Sequence, residues 1–405
     1  METLGERIKK LRKEKGLTLQ ALAGEALTKG MLSLIENNKA NPSMESLAYI
    51  AERLGVDRNE LLEEVPTTEL RHLLQDVELL YRKEMDDFED AFDVIVQKIE
   101  PYAEKLPYRY ESARLLELYS RCLYYANQPG WETSLSQAEE MYEGLHLMNN
   151  SADVHMFRAM LKFNEHQYAD SLVMLQGSRK AFEERDVVLD SLKKLDFDFL
   201  EALLYLAIGE DAKAIGIMKK AVEYSKEHQI FYKINDLYRV MSFHSILNND
   251  AESKDYYVGK LRLFAEFSED KKIDMTLDLL EAHYQNSFTH DYGAAYEIVE
   301  RFLASNSEDD APQFYLEKGK ALYGMGRLEE ALPWLERHKI SKFLHHPFDL
   351  SMNYEKDAYL ALIHERLGNH DAAVQHAEMA KSNILPMPDL PYKKFILDVY
   401  EQIVQ

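Results

Sequence analysis

A chain of 405 residues with one cysteine, Cys122, builds neither a disulfide framework nor a thiolate zinc site, and such usage fits a reducing cytoplasm. No apolar run approaches the roughly eighteen residues of a membrane span. The first residues are charged, so neither a span nor a signal peptide is expected. Catalytic patterns are missing as well: there is no H-E-x-x-H, no G-x-x-x-x-G-K-[ST] phosphate loop and no G-x-S-x-G elbow. The fourteen histidines include His345-His346 and the pair His364/His370, yet no set has zinc-ligand spacing. No enzyme, no cofactor and no metal is therefore expected. Basic residues are also in deficit, 48 against 71 acidic, for a net charge of −23. That balance alone argues against nucleic acid, but its distribution does not. Residues 1–62 hold ten Lys and Arg against nine acids, about +1, which leaves −24 on the rest. An acidic body repels a duplex, so any DNA binding must fall to the small N-terminal head.

What is present begins with that head. Leu4, Ile8 and Leu11 recur at helical spacing and predict a first helix ending near Gly16. A short second helix starts at Leu19 and turns Leu22 and Ala23 inward. Thr28 is placed to cap a third helix whose Leu32 and Ile35 face the core. Pro42 and Ser43 open a fourth, with Leu47, Ile50, Ala51 and Leu54 buried and Gly55 ending it. Five short helices in about sixty residues suit a module whose third helix enters the major groove.

The stretch from Leu4 to about Leu62 resembles the lambda-repressor-like (XRE) helix-turn-helix, above all in Ile35-Glu36-Asn37-Asn38-Lys39-Ala40-Asn41-Pro42. The resemblance implies DNA contacts from Thr18, Gln20, Thr28, Lys29, Gly30, Met31, Ser33, Asn37, Asn38 and Lys39. Lys29, Ser33 and Asn37 would read bases, while Asn38 and Lys39 would reach phosphates. Two departures stand out. Leu19 occupies the place of a phosphate-contacting glutamine, with Gln20 beside it, and Gly30, Met31 and Leu34 leave the reading helix poor in polar groups.

Residues 63–68, Glu63-Glu64-Val65-Pro66-Thr67-Thr68, read as a hinge, because Pro66 disfavours helix at Val65. Residues 69–110 then read as linker helices, with one apolar face on Leu70, Leu73, Leu74, Val77 and Leu80. A second face falls on Phe88, Phe92, Ile95 and Ile99. The acidic run Asp86, Asp87, Glu89, Asp90 and Asp93 lacks the turn glycine of a calcium loop and reads as a solvated helix face.

A repeat fills residues 111–405. Gly209 with Ala214, Gly326 with Ala331 and Gly368 with Ala373 each set a small residue five positions after a turn glycine. Weaker copies are Asn164 with Ala169, Asn248 with Ser253, and His290 with Ala295, giving steps of 45, 39, 42, 36 and 42 residues. Ala202, Gly319 and Ala361 lie seven positions before their glycines, where crossing helices need small residues. An earlier hairpin spans Arg114–Leu147, and Tyr392–Val404 reads as a capping helix. The pattern resembles the tetratricopeptide repeat, whose usual period is about 34 residues. An all-α chain is thus expected: a five-helix head, then a right-handed tetratricopeptide-like superhelix. Such an array offers a concave wall to an extended peptide. Counting back 13, 10, 6, 3 and 2 positions from each turn, as the repeat family implies, places Arg158, Phe199, Asn235, Tyr238, Ser242, Tyr284, Gln313, Lys320, Tyr323 and Glu355 on that wall. The amides there can pair a peptide backbone.

A head of this kind joined to such repeats is similar to the cytoplasmic peptide-pheromone receptors of Gram-positive bacteria, the Rap, Rgg, NprR, PlcR and PrgX group. The resemblance implies a cytoplasmic homodimer, with operator DNA and a short signalling peptide as partners and no membrane. A protein-interaction scaffold or response-regulator antagonist is the second reading it leaves open.

Overall fold

The structure is a computed structural model that describes residues 3–62, 65–82, 91–305 and 312–404. Glu63 and Glu64 of the expected hinge, and the acidic run from Asp86 to Asp90 with Phe88, lie outside the described residues. Among those described, every regular element is helical, as the periodicity requires. The chain divides into two compact units, Met1–Val154 and His155–Gln405. The boundaries at 62, 68 and 110 remain a proposal for a finer division.

The first unit opens with the five helices expected: α1 (Leu4–Glu14), α2 (Leu19–Ala23), α3 (Lys29–Glu36), α4 (Met44–Leu54) and α5 (Arg58–Leu62). Local chemistry sets the ends of most of them. Thr3, Thr18, Thr28 and Ser43 cap α1 to α4 through their side-chain oxygens, and Thr3 and Glu6 close a capping box. Ile8, Leu22, Leu32, Ile35, Ile50 and Leu54 are buried together as the core. Next come α6 (Thr67–Tyr81), which starts directly after Pro66, α7 (Ala91–Ile99), α8 (Tyr110–Tyr125) and α9 (Trp131–Gly144). Helix α10 (Met148–Asn164) crosses the division between the units.

The second unit continues as helical hairpins. Helix α11 (Tyr168–Glu184) follows α10. The later pairs are α12 (Ser191–Ala207) with α13 (Asp211–Glu227), α14 (Ile234–Leu247) with α15 (Ala251–Ser268), and α16 (Lys271–Tyr284) with α17 (Tyr292–Ser305). Then come α18 (Phe314–Gly324) with α19 (Leu328–Arg337) and α20 (Pro347–Arg366) with α21 (His370–Ile384), before the last helix α22 (Pro391–Val404). The turns of these hairpins pivot on residues with positive φ: His166, Gly209, Asn249, His290, Gly326 and Gly368. Glycine suits that conformation because it has no Cβ to clash, and asparagine tolerates it.

Two turn positions therefore differ from the sequence reading. Asn164 is still the last residue of α10, and the pivot is His166; Asn249 replaces Asn248. In the corrected register the residue seven before each pivot is small and buried: Ala159, Ala202, Ser242, Gly319 and Ala361. So is the residue five after it, at Ser171, Ala214, Ala295, Ala331 and Ala373. The helices of each pair thus meet with almost no side chain between them, and Ser171 adds a 2.6 Å hydrogen bond to the Ala159 carbonyl. Two positions break the rule. His283 stands seven before His290 and Lys254 five after Asn249, both buried. Immediately after α16 the backbone widens into a π-helical turn, Gln285–Thr289.

Candidate DNA-reading head and ligand pockets

In the head, α2 and α3 form the helix-turn-helix pair. Gly24 follows α2 at φ +56°, and a Cβ there would lie 2.1 Å from the Tyr49 hydroxyl, so only glycine fits this turn. Helix α3 shows solvent Lys29, Gly30, Met31 and Leu34, with Ser33 half-buried among them. Thr18 and Thr28 spend their hydroxyls on capping, accepting from Ala21 N at 3.0 Å and Met31 N at 3.1 Å. Gln20 is exposed on α2.

The Ile35–Lys39 motif is mostly a splice between α1 and α3. Ile35 is in the core. Glu36 accepts a two-pronged bond from Arg12, Nε to Oε1 at 2.6 Å and Nη2 to Oε2 at 2.9 Å, and Arg12 Nη1 also donates to the Leu17 carbonyl at 2.8 Å. Side-chain exposures of 11% for Arg12 and 2% for Glu36 make this a buried ion pair. Asn37 closes α3 by donating to the Ser33 carbonyl at 2.7 Å and accepts from Lys9 at 3.4 Å. Asn38, at φ +56°, accepts from Gly5 N at 3.1 Å and donates to the Thr3 hydroxyl at 2.5 Å. Both Asn38 groups are thus engaged in holding the start of α1, which leaves the exposed Lys39 as the motif's outward cation.

In the second unit the one-residue correction at Asn249 moves the counted wall positions of α14 onto Asp236, Arg239 and Phe243. Tyr238 and Ser242, chosen from the uncorrected turn, lie inside the core instead; Ser242 donates to its own helix at the Tyr238 carbonyl, 2.7 Å away. Arg239 and Phe243 line an apolar pocket of about 190 Å³ with Leu203, Leu206, Leu280 and Met352. His346 fixes one side of it. Its Nδ1 accepts from Phe348 N at 3.2 Å, capping α20, and its Nε2–H donates to the Leu203 carbonyl at 3.2 Å. Burial holds this imidazole below its usual pKa, so the neutral ring is the form these two bonds require.

None of the ten residues expected on the wall lines that pocket. Phe199, Arg158, Asn235 and Tyr284 are half-buried on several helices and Gln313 just before α18, with Lys254 Nζ over the Tyr284 ring at 4.0 Å and Gln313 Nε2 on Met275 Sδ at 2.8 Å. Lys320 and Glu355 are interior and bonded to each other at 2.7 Å. They belong to a polar network that sequence reasoning missed. His283 Nδ1–H donates to Glu317 Oε1 at 2.8 Å, and its Nε2 meets the Tyr392 hydroxyl at 2.7 Å. Asn286 donates to the other Glu317 oxygen at 2.8 Å, and Lys320 reaches Glu317 at 3.3 Å and Ser287 at 2.6 Å. Burial would raise the Glu317 pKa, but Lys320, His283 and Asn286 reverse that and hold it down at about 2. Tyr323 and Glu355 line a second cavity, of about 370 Å³. Among the described residues, no helix is long and apolar enough to cross a membrane.

The capped helix pair and the exposed face of α3 define a helix-turn-helix head. Residues 5–65 match the family described as "Helix-turn-helix domain". The chain is 41% identical over 63 residues to the HTH-type transcriptional regulator DdrOP3 of Deinococcus deserti, covering 15% of this chain and 49% of that one. It is 44% identical over 68 residues to the HTH-type transcriptional regulator SinR of Bacillus subtilis, 16% of this chain and 61% of that one. The chain thus spans 49% and 61% of the length of these two curated relatives. Over 68% of its length it is similar to Bacillus thuringiensis PlcR, solved in complex with the peptide PapR7 and DNA, at 19% identity and a TM-score of 0.37, covering 99% of that chain. A superposition that loose lends no weight to a functional reading.

Proposed function

We propose that this chain is a peptide-responsive transcription regulator: a homodimer that binds operator DNA through the head and a short signalling peptide in the repeats. The observation that carries the reading is the head itself, a folded helix-turn-helix whose third helix faces solvent on a chain otherwise strongly acidic. Base reading falls to Lys29 and Ser33, with Gly30 and Met31 close enough to let α3 enter the groove. Phosphate contact falls to Lys39 and Gln20. The two curated relatives are named as transcriptional regulators, which supports the DNA half.

For the peptide half, the pocket between Leu203, Phe243 and Leu280 is the better candidate wall than the residues first counted. At about 190 Å³ it exceeds the roughly 150 Å³ apolar cavity that takes benzene, so it has room for one large apolar side chain. Arg239, 3.7 Å from Asp236, and Asp349 are the charged side chains that line it. Asn235 and Gln313 remain candidates for the peptide backbone.

Fluorescence anisotropy on operator fragments, with and without synthetic peptides, tests the whole reading; a peptide that binds without moving DNA affinity removes it. Lys29→Ala and Ser33→Ala should each cost about 1–3 kcal/mol of specific binding. Lys39→Ala should weaken all sequences alike and lower the salt slope by about one unit. Unchanged site preference in the first two variants would take base reading away from α3. In the repeats, Phe243→Ala should weaken peptide binding about tenfold while leaving peptide-free DNA affinity alone. Wild-type calorimetry for that variant would move the peptide elsewhere.

A further inference from the structure

The second cavity has a chemistry of its own. It lies among α18, α20, α22 and the π-helical turn, and six aromatic rings line it: Phe288, Tyr292, Tyr323, Tyr359, Tyr392 and Phe395. Ring centroids are 5.3 Å apart for Tyr323 and Tyr359, 5.0 Å for Tyr359 and Phe395, and 6.4 Å for Phe288 and Tyr392. Two carboxylates also line it, the exposed Asp398 and the interior Glu355. Glu355 is 3% exposed, and its Oε2 is held by Lys320 at 2.7 Å.

Two buried carboxylates stand behind this wall. Glu317 and Glu355 share the ammonium of Lys320. His283 joins Glu317 at 2.8 Å to the Tyr392 hydroxyl at 2.7 Å. Of the two carboxylates, Glu355 is the one that lines the cavity. A carboxylate beside a water-poor aromatic wall favours a cation next to it. The tyrosines register the same field: burial first, and then Glu355, push the Tyr359 and Tyr392 hydroxyls well above their usual pKa. Exposed Lys394 and Asp398, one of each sign, also line it.

We propose that this cavity is a binding site for an organic cation, an alkylammonium or alkylguanidinium head held between the aromatic rings against the Glu355 carboxylate. Ring faces attract such cations most strongly where water is excluded, and a carboxylate strengthens the hold. Two of the rings already engage cations of the chain: Arg366 stands over Tyr323 at 4.6 Å and Lys320 near Tyr359 at 5.8 Å. Among the described residues, no cation covers the other four. A hard metal ion is a poor occupant, because it needs six or more oxygen ligands and the lining here is mostly aromatic rings. The π-helical turn serves the site directly, since it sets Ser287 on Lys320 and Phe288 in the wall.

Calorimetry on the full chain tests this with n-butylammonium, n-butylguanidinium and the neutral n-butanol. The expected result is saturable binding of at least one cation, none of the alcohol, and about tenfold weaker binding in Glu355→Gln and in Phe395→Leu. Phe395 makes no bond to the buried network, so its variant keeps the test alive if Glu355→Gln does not fold. Competition between n-butylammonium and a lysine-bearing peptide that binds the protein, lost when that lysine is norleucine, assigns the cation to a peptide side chain. Binding without competition assigns it to a free amine. No saturable binding of either cation, equal binding of n-butanol, or unchanged affinity in Phe395→Leu overturns the proposal. That failure leaves the DNA and peptide reading untouched, because that reading places the peptide at the pocket of Leu203, Phe243 and Leu280 and does not require this cavity.

Discussion

Replacing Lys320 by methionine is expected to destabilise the second unit by about 3–5 kcal/mol, the range for stranding one side of a buried ion pair. Methionine keeps most of the volume and removes the charge, leaving Glu317 and Glu355 with no cation between them. Few single changes reach that range. Hydrogen exchange should show it as faster opening of α16, α18 and α20, the helices that carry His283, Glu317 and Glu355. Adding Glu355→Leu to the variant should recover part of the loss, since one stranded carboxylate goes with it. Acid probes the same network from the other side. A carboxyl held near 2, against an ordinary 4.5, contributes stability that is fully present above the ordinary value. That contribution is lost as pH falls through the interval between the two. The wild-type unit should therefore weaken between those values, and the Lys320→Met protein should lose less over the same interval. Equal acid sensitivity in both, or protection of these helices unchanged in the variant, would show that the ion pairs do not hold the helices together.

In the head, Arg12→Ala should be nearly as damaging, at about 3–5 kcal/mol. For a domain of about sixty residues, which buries little core, that is comparable with its whole stability. Three acceptors lose their donor at once, the two Glu36 oxygens and the Leu17 carbonyl. Arg12→Lys should rescue little, because an ammonium cannot span a planar two-pronged pair and a carbonyl together. Limited proteolysis reads the result: cleavage within residues 3–62 should become rapid in Arg12→Ala and stay slow in Lys39→Ala, which touches only solvent. Slow cleavage in both would mean that capping and the apolar core suffice without the ion pair.

The head was the most legible part of the chain because its signals are local. A threonine or serine three residues before the amide it caps fixes four helix starts, and a glycine after Leu54 fixes one helix end, all without any distant partner. The repeats were legible where glycine marks the pivot, at Gly209, Gly326 and Gly368, and shifted where asparagine or histidine takes the left-handed conformation instead. An error of one residue suffices to turn a helix face, so Ser242 was read onto a wall that Phe243 occupies. Even so, the sequence held one signal for the buried network. Counting seven back from His290 lands on His283, a residue too large for a helix crossing and therefore one that needs partners. Those partners, Glu317 and Tyr392, sit on helices far along the chain, and no spacing rule brings them together. The motif Ile35–Lys39 misled in the opposite sense, since most of its polar groups bind the protein and only Lys39 is left facing out.

The bond from Tyr392 to His283 joins positions 109 residues apart. On a ribosome making 5–20 residues per second, the later partner appears roughly 5–20 s after the earlier one. Until then a nascent chain carries His283, with Glu317 and Lys320 as they emerge, in a half-built interior whose last hydrogen bond has no donor. Repeat arrays can fold by adding each hairpin to the one before it, but this stretch must wait for α22. Translation speed across residues 284–392, where synonymous codons alter tempo without altering any contact, is thus expected to govern how much of the newly made protein escapes misassembly.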